Sequence, residues 1–339
     1  MSLAGDYYVD STKANDSGDG LSWGNAKQHL SAALALIDEE LTADVTIHLK
    51  SGSSQPAYTG DCSLAGIRAA VGSSAKLFIE RDVFYLANYN AGGDPFTAPT
   101  GTTIPPWLDV ATADFQLDLQ LAMTFDDCHV LGLRGLAFSP SASGAALTLL
   151  PPTVVTAQYC RFNGPSIGAV AMYDALFTAE NCYFQGNQLA AVAIYGGKVH
   201  LIGDTTIKDP VLGAVHASVN SRLLVCAFDR PERHTLKIVT SSPRVKDFAA
   251  LKATAGSMIC VQDESAVPVG MPNSPVDVNI HHDYPLLRDS QFAIVLDGGS
   301  LLTGANQITF TMKNVNNEIV PMPESQTVIT EDSKSKVFD

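Results

Sequence analysis

AQYCRFNGPSIGAVAMY (157–173) returns almost at once as AENCYFQGNQLAAVAIY (179–195). Cys160 matches Cys182, Phe162 matches Phe184, Gly164 matches Gly186, Val170 matches Val192 and Tyr173 matches Tyr195, each pair 22 residues apart. The pattern recurs more loosely at Leu136–Phe138, Thr205–Ile207 and Cys226–Phe228, with steps of 24, 23 and 21 between successive copies. A fixed period near 22 marks a repeat architecture in which each unit is one coil stacked on the last. Within each copy apolar and polar residues alternate, interrupted at Asn163-Gly164-Pro165 or Gly186-Asn187, so the units are strands joined by turns. Helical spacing is missing, which excludes tetratricopeptide, HEAT and armadillo repeats. A leucine-rich repeat needs a leucine and asparagine ladder that is not present.

In a parallel β-coil each turn lies ~4.8 Å above the last, so residues one period apart stack directly. Two inward columns are therefore predicted. One is Leu136, Cys160, Cys182, Thr205, Cys226; the other is Phe138, Phe162, Phe184, Ile207, Phe228.

The N-terminal segment 1–44 reads as a short strand, a polar Asx/Gly loop and a capping helix. Asn25 is the expected N-cap, with Gln28 three residues on. Ala26, Leu30, Ala33, Leu34, Ile37 and Leu41 form its apolar stripe. Residues 45–267 hold the coils, with a long Gly/Pro/Thr-rich loop at about 85–122, and 268–339 reads as a small β-rich end piece with a tail.

Lys plus Arg is 21 and Asp plus Glu 35, a formal net charge of −14. That argues against nucleic acid or an anionic membrane as partner, and no apolar run approaches the ~18 residues of a spanning helix. No signal-peptide pattern precedes the first strand; if Met1 is the natural start, export by the general secretory route is not expected. The six cysteines show no CxxC or clustered Cys/His spacing, so neither metal nor cofactor is expected, and buried free thiols are the reading for Cys160, Cys182 and Cys226.

YYVDSTKANDSGDGLSWGNAKQHLSAAL (7–34) resembles the N-terminal strand, loop and capping helix of right-handed parallel β-helix proteins of the pectin-lyase-like superfamily. The VTIHLKSG and YTGD stretches resemble that group's first coil, and NCYFQGN its recurrent coil motif. The resemblance spans about residues 6–262 and implies an all-β, right-handed, single-stranded parallel β-helix. It is specific for fold and far less so for activity, since the superfamily hosts lyases, hydrolases, epimerases and phage tailspikes. The missing signal-peptide pattern and the separate β-rich end piece look most like the phage members, which form homotrimers. The implied protein is a virion component made in the host cytoplasm: a short spike, fibre or capsid decoration among other virion proteins, in contact with cell-surface polysaccharide. The alternatives are a polysaccharide lyase or glycoside hydrolase, and an extracellular or cell-surface module. Phage spikes of this type carry an anchoring domain ahead of the helix, whereas here the cap starts near residue 6. Attachment is expected through the C-terminal piece or the helix flank.

Glycan chemistry on such a coil needs charged groups on one outward face, and hydrolysis needs two carboxylates ~5–9.5 Å apart. Aligning the coils stacks Arg134, Gln158 and Glu180, with Tyr159, Asn181 and Asp204 alongside. Arg134, Glu180 and Asp204 are the catalytic candidates. Gln158, with the stacked Tyr173 and Tyr195, makes up the ligand-binding candidates. The same column is also what a solvated polar face or amide ladder looks like, and the tyrosines equally suit a stabilising stack. Asp126-Asp127 reads as a polar turn, His281-His282-Asp283 as a loop, and the Asp10–Asp19 stretch either as a Ca²⁺ loop or as Asx turns.

Overall fold

A computed structural model describes residues 5–52, 55–82, 118–129, 131–140, 144–164, 166–203, 205–226, 234–240, 249–261, 276–282, 292–303, 308–313, 319–320, 329–331 and 333–337. The chain winds as a right-handed parallel β-helix of three long sheets. Sheet I has eleven strands, running from Gly5–Val9 to Lys336–Val337. Sheet II has ten, from Tyr58–Thr59 to Ile319–Val320, and sheet III nine, from Cys62–Ala65 to Ile329–Glu331. Each regular coil contributes one strand to each sheet in turn; Leu131–Arg134, Ala137–Phe138 and Ala145–Leu149 make one such coil. Neighbouring strands are parallel except for the pair Ile308–Lys313 and Ile319–Val320.

The 22-residue period becomes register. Phe138 lies opposite Phe162, Phe162 opposite Phe184, and Phe184 opposite Ile207. The three phenylalanine rings are fully buried and stacked, with centroids 5.1 and 4.7 Å apart and planes within 10°. Burying each ring contributes ~1.5–3 kcal/mol. The column then departs from expectation: Ile238, not Phe228, faces Ile207, and Phe228 lies outside the described residues. In the neighbouring column Leu136, Cys160, Cys182 and Thr205 are all buried as expected. Cys226, by contrast, pairs with Ile202 inside sheet I, so the 21-residue step to it has slipped off the corner. Burial pushes the Cys182 thiol well above its ordinary range.

Many corners of the regular coils are made by a residue with positive φ, and these residues stack too. Gly135, Tyr159, Asn181 and Gly203 turn sheet I into sheet II, each of the first three donating its N–H to the next coil. Gly164, Gly186 and Asp209 turn II into III. The III-to-I corner takes two successive left-handed residues, as a type I′ turn does: Tyr173-Asp174, Tyr195-Gly196, Val219-Asn220, Ala255-Gly256 and Gly298-Gly299. At Gly203 a Cβ would lie 2.3 Å from Asn181 Oδ1, so glycine takes this corner without displacing that side chain. Inside this corner, buried hydroxyls of Thr153, Ser221, Ser257 and Ser335 accept N–H donors from adjacent coils at 3.1–3.2 Å. Those donors point along the axis and would otherwise be buried unpaired.

The N-terminal segment corrects one expectation. The helix is a short Leu30–Leu34 element preceded by an extended His29, and Asn25 does not cap it. Asp16 does the work from 13 residues away: its Oδ1 accepts the N–H groups of Gln28 and His29 at 2.7 and 2.9 Å. Leu30, Ala33, Leu34 and Leu41 still enter the core. Beyond 268, the strands Val276–His282, Phe292–Leu296, Leu301–Thr303 and Ile308–Lys313 add to the same three sheets. His281 and His282, read as loop residues, belong to the first of these strands.

Candidate functional site

Strand alternation sends every second residue of sheet I outward. Register then places Tyr8, His48, Glu80, Arg134, Gln158 and Glu180 in one outward column along six successive strands. The column closes on itself. Asp6 Oδ1 lies 3.4 Å from His48 Nε2, and His48 Nδ1 lies 3.4 Å from Glu80 Oε1. Arg134 Nη1 donates to Glu80 Oε2 at 3.3 Å, and Arg134 Nε donates to Gln158 Oε1 at 3.1 Å. Gln158 Nε2 donates to Glu180 Oε2 at 2.8 Å. At the lower end the Tyr8 ring stacks on His48 at 5.2 Å.

Two members are unusually buried for charged groups, Glu80 and Arg134, each 8% exposed. Burial raises the Glu80 carboxyl, against the opposing pull of His48 and Arg134. Arg134 is also held by a ring: its Cζ lies 3.6 Å from the Phe78 centroid. Phe78 in turn fits over Gly132, where a Cβ would fall 2.6 Å from the ring. Beside this stack, sheet I has a pocket of about 240 Å³ lined by Lys76, Phe78, His129, Arg134, Thr156 and Gln158.

Of the expected site residues, the structure brings Arg134, Gln158 and Glu180 together as a hydrogen-bonded ladder. Asp204 lies outside the described residues. Gly203 is the residue that follows Asn181 in the corner ladder. Tyr173 and Tyr195 stand apart, at the III-to-I corner, while Gln158 ends its sheet I strand. The length of that strand, ~13 Å, separates them. The two tyrosines stack on each other at 5.1 Å with planes 10° apart, each 49% exposed.

Sequence reading missed Tyr8, His48 and Glu80. Their steps along the column are 40, 32 and 54 residues, so no period connects them. The only available signal was alternation within VTIHL and LFIER.

The remaining acidic candidates are occupied structurally. Asp127 has positive φ, pairs with Arg68 and lies 3.5 Å from His129. Asp10 is 2% exposed. Burial raises its carboxyl, but donors from Gln55, Lys50 and Thr12 outweigh that and hold it far below the usual carboxylate range. Asn15 and Asp19 accept N–H groups two residues on, as Asx turns do. The stretch is therefore a turn-built loop, and no group of three or more metal-ligating side chains occurs among the described residues. No described helix is long and apolar enough to cross a membrane.

No family model matches this chain, and no curated protein does. Among solved structures it is similar to the GH136 lacto-N-biosidase from Eubacterium ramulus, with a TM-score of 0.37 and 9% identity, over 98% of this chain and 68% of that one. The likeness is one of fold and carries no chemistry to this chain.

Proposed function

We propose that this chain is a non-catalytic rod: a homotrimeric spike, fibre or capsid decoration of a bacteriophage particle, standing on its surface and touching host glycans. The observation that carries this reading is the outer face of sheet III. Four successive strands there, Ala145–Leu149, Ile167–Met172, Leu189–Ile194 and Gly213–Ser218, contain no Asp, Glu, Lys or Arg. That leaves ~19 Å of rod without an acid or a permanent cation, in a chain that is 17% charged. Val170 stacks on Val192 and Met172 on Ile194, flanked by the exposed Tyr173 and Tyr195.

A three-fold axis parallel to the rod sets each level of this face against the same level of its copies. Any charge there would meet its own kind; apolar side chains meet without that penalty. The phage assignment itself rests on the resemblance of the β-rich C-terminal end piece to the phage members of that superfamily.

The carboxylates of sheet I favour the same reading over glycan cleavage. Glu80 and Glu180 are three strands apart, ~14 Å, beyond the ~9.5 Å that an inverting pair tolerates. Asp6 and Glu80 approach through His48, whose ring fills the space that a sugar or water needs. The test is proteomic analysis of purified particles from a host carrying the gene, together with a glycan-cleavage screen of the purified protein. The chain present in stoichiometric amounts and an inert screen are expected. Its absence from particles, or turnover of any glycan, would overturn the proposal.

A further inference from the structure

The pocket on sheet I has a composition at odds with the chain around it. In a protein of net charge −14, its rim combines Lys76, His129 and Arg134. The nearby acids are already engaged. Glu80 is hydrogen-bonded to Arg134, Asp127 is paired with Arg68 and lies 3.5 Å from His129 Nε2, and Asp44 Oδ1 accepts the Lys76 backbone N–H at 2.8 Å. The Lys76 ammonium itself makes no ion pair among the described residues, and its side chain is exposed.

We propose that this pocket is an anion-binding site for a compact ligand that carries one carboxylate or phosphate on a body about the size of a single ring. The anionic group is met at the end where Lys76 stands, with the His129 ring lining the wall beside it. The body lies against the edge of Phe78, whose ring is held by Gly132 beneath it and by the Arg134 guanidinium over its face. Thr156 supplies a hydroxyl along the third strand. A volume of about 240 Å³ admits one ring and its substituent, below the ~300–1,000 Å³ of sites for drug-sized ligands. The preformed Phe78–Arg134 stack reduces the ordering cost of binding. This site is on sheet I and is independent of whether the rods associate through sheet III.

The experiment is calorimetric titration of the full chain at low ionic strength with inorganic phosphate, with glucuronate, and with glucose as the uncharged counterpart of the latter. Saturable binding of at least one anion and none of glucose is expected. Lys76→Gln weakens it about tenfold, the loss of one charge-assisted hydrogen bond, while Lys76→Arg retains it. Phosphate binding alone would support the site and assign it to phosphate groups; glucuronate binding alone would support it and assign it to a carboxylate-bearing ring. The proposal fails if neither anion binds, if glucose binds as tightly as glucuronate, or if Lys76→Gln binds like the wild type. A thermal melt of Lys76→Gln, expected to match the wild type, keeps a folding defect from being read as lost binding.

Discussion

The outer faces of sheets I and III are made by the same coils and have opposite characters. On sheet I, polar side chains stack into a ladder in which each member meets the next, from Asp6 to Glu180. On sheet III, the same stacking rule piles valine on valine and methionine on isoleucine over two coils, before the columns pass into the hydrogen-bonded His216, Ser218 and Thr254. A solenoid repeats whatever it is given: a polar residue at a fixed phase becomes a network, and an apolar one becomes a stripe. The first face stabilises the coil it belongs to, and the second remains available for another rod.

The sharpest way to break this contrast is to charge the apolar stripe. Ile194→Asp places a carboxylate opposite its own copies, and the expected result is dissociation, a three-fold drop in mass, with the far-ultraviolet circular dichroism of the rod preserved. Next in size is Arg134→Ala on sheet I. Removing one partner of a largely buried ion pair costs about 3 kcal/mol, read as a lower urea midpoint. Adding Glu80→Gln to that variant recovers part of the loss, because no uncompensated carboxylate is then left behind.

Titration distinguishes the ladder from the N-terminal loop. The raised Glu80 carboxyl keeps its proton more readily folded than unfolded. Its contribution to stability is therefore present below the ordinary carboxylate pKa and lost as pH rises through the raised value. Asp10 is lowered, so its contribution is present above the ordinary value and is lost as pH falls. Urea midpoints measured from pH 4 to 7 should decline less steeply in Glu80→Gln than in wild type. Asp10→Asn should lose part of the wild-type rise in stability on leaving acid. The smallest effect is expected at the tyrosine pair: a double-mutant cycle of Tyr173→Ala and Tyr195→Ala should give a coupling of about 1 kcal/mol.

What could be read from sequence follows from the same contrast. The phenylalanine column, the glycines at 164 and 186 and the Arg134–Gln158–Glu180 strip all lie where coils keep a length of 22–24 residues, so position in the chain converts directly into position in space. Where coil length changes, that conversion fails. Ile238 replaces Phe228 because the step from Ile207 is 31 residues. Tyr8, His48 and Glu80 were hidden because they join the ladder across steps of 40, 32 and 54. The Asp16 cap was missed for a related reason: local capping rules look three residues ahead, and Asp16 reaches His29 across a folded loop. The end piece read at 268–339 retains no period, yet its strands lie on the same sheets.

The uncharged face of sheet III is tested most directly by the mass of the purified protein in solution, measured by light scattering after size exclusion. A particle of about three times 35.9 kDa, reduced to one chain by Ile194→Asp, is the expected result. A wild-type protein that runs as a single 35.9 kDa chain at high concentration would contradict the homotrimer and leave the apolar stripe without its partner.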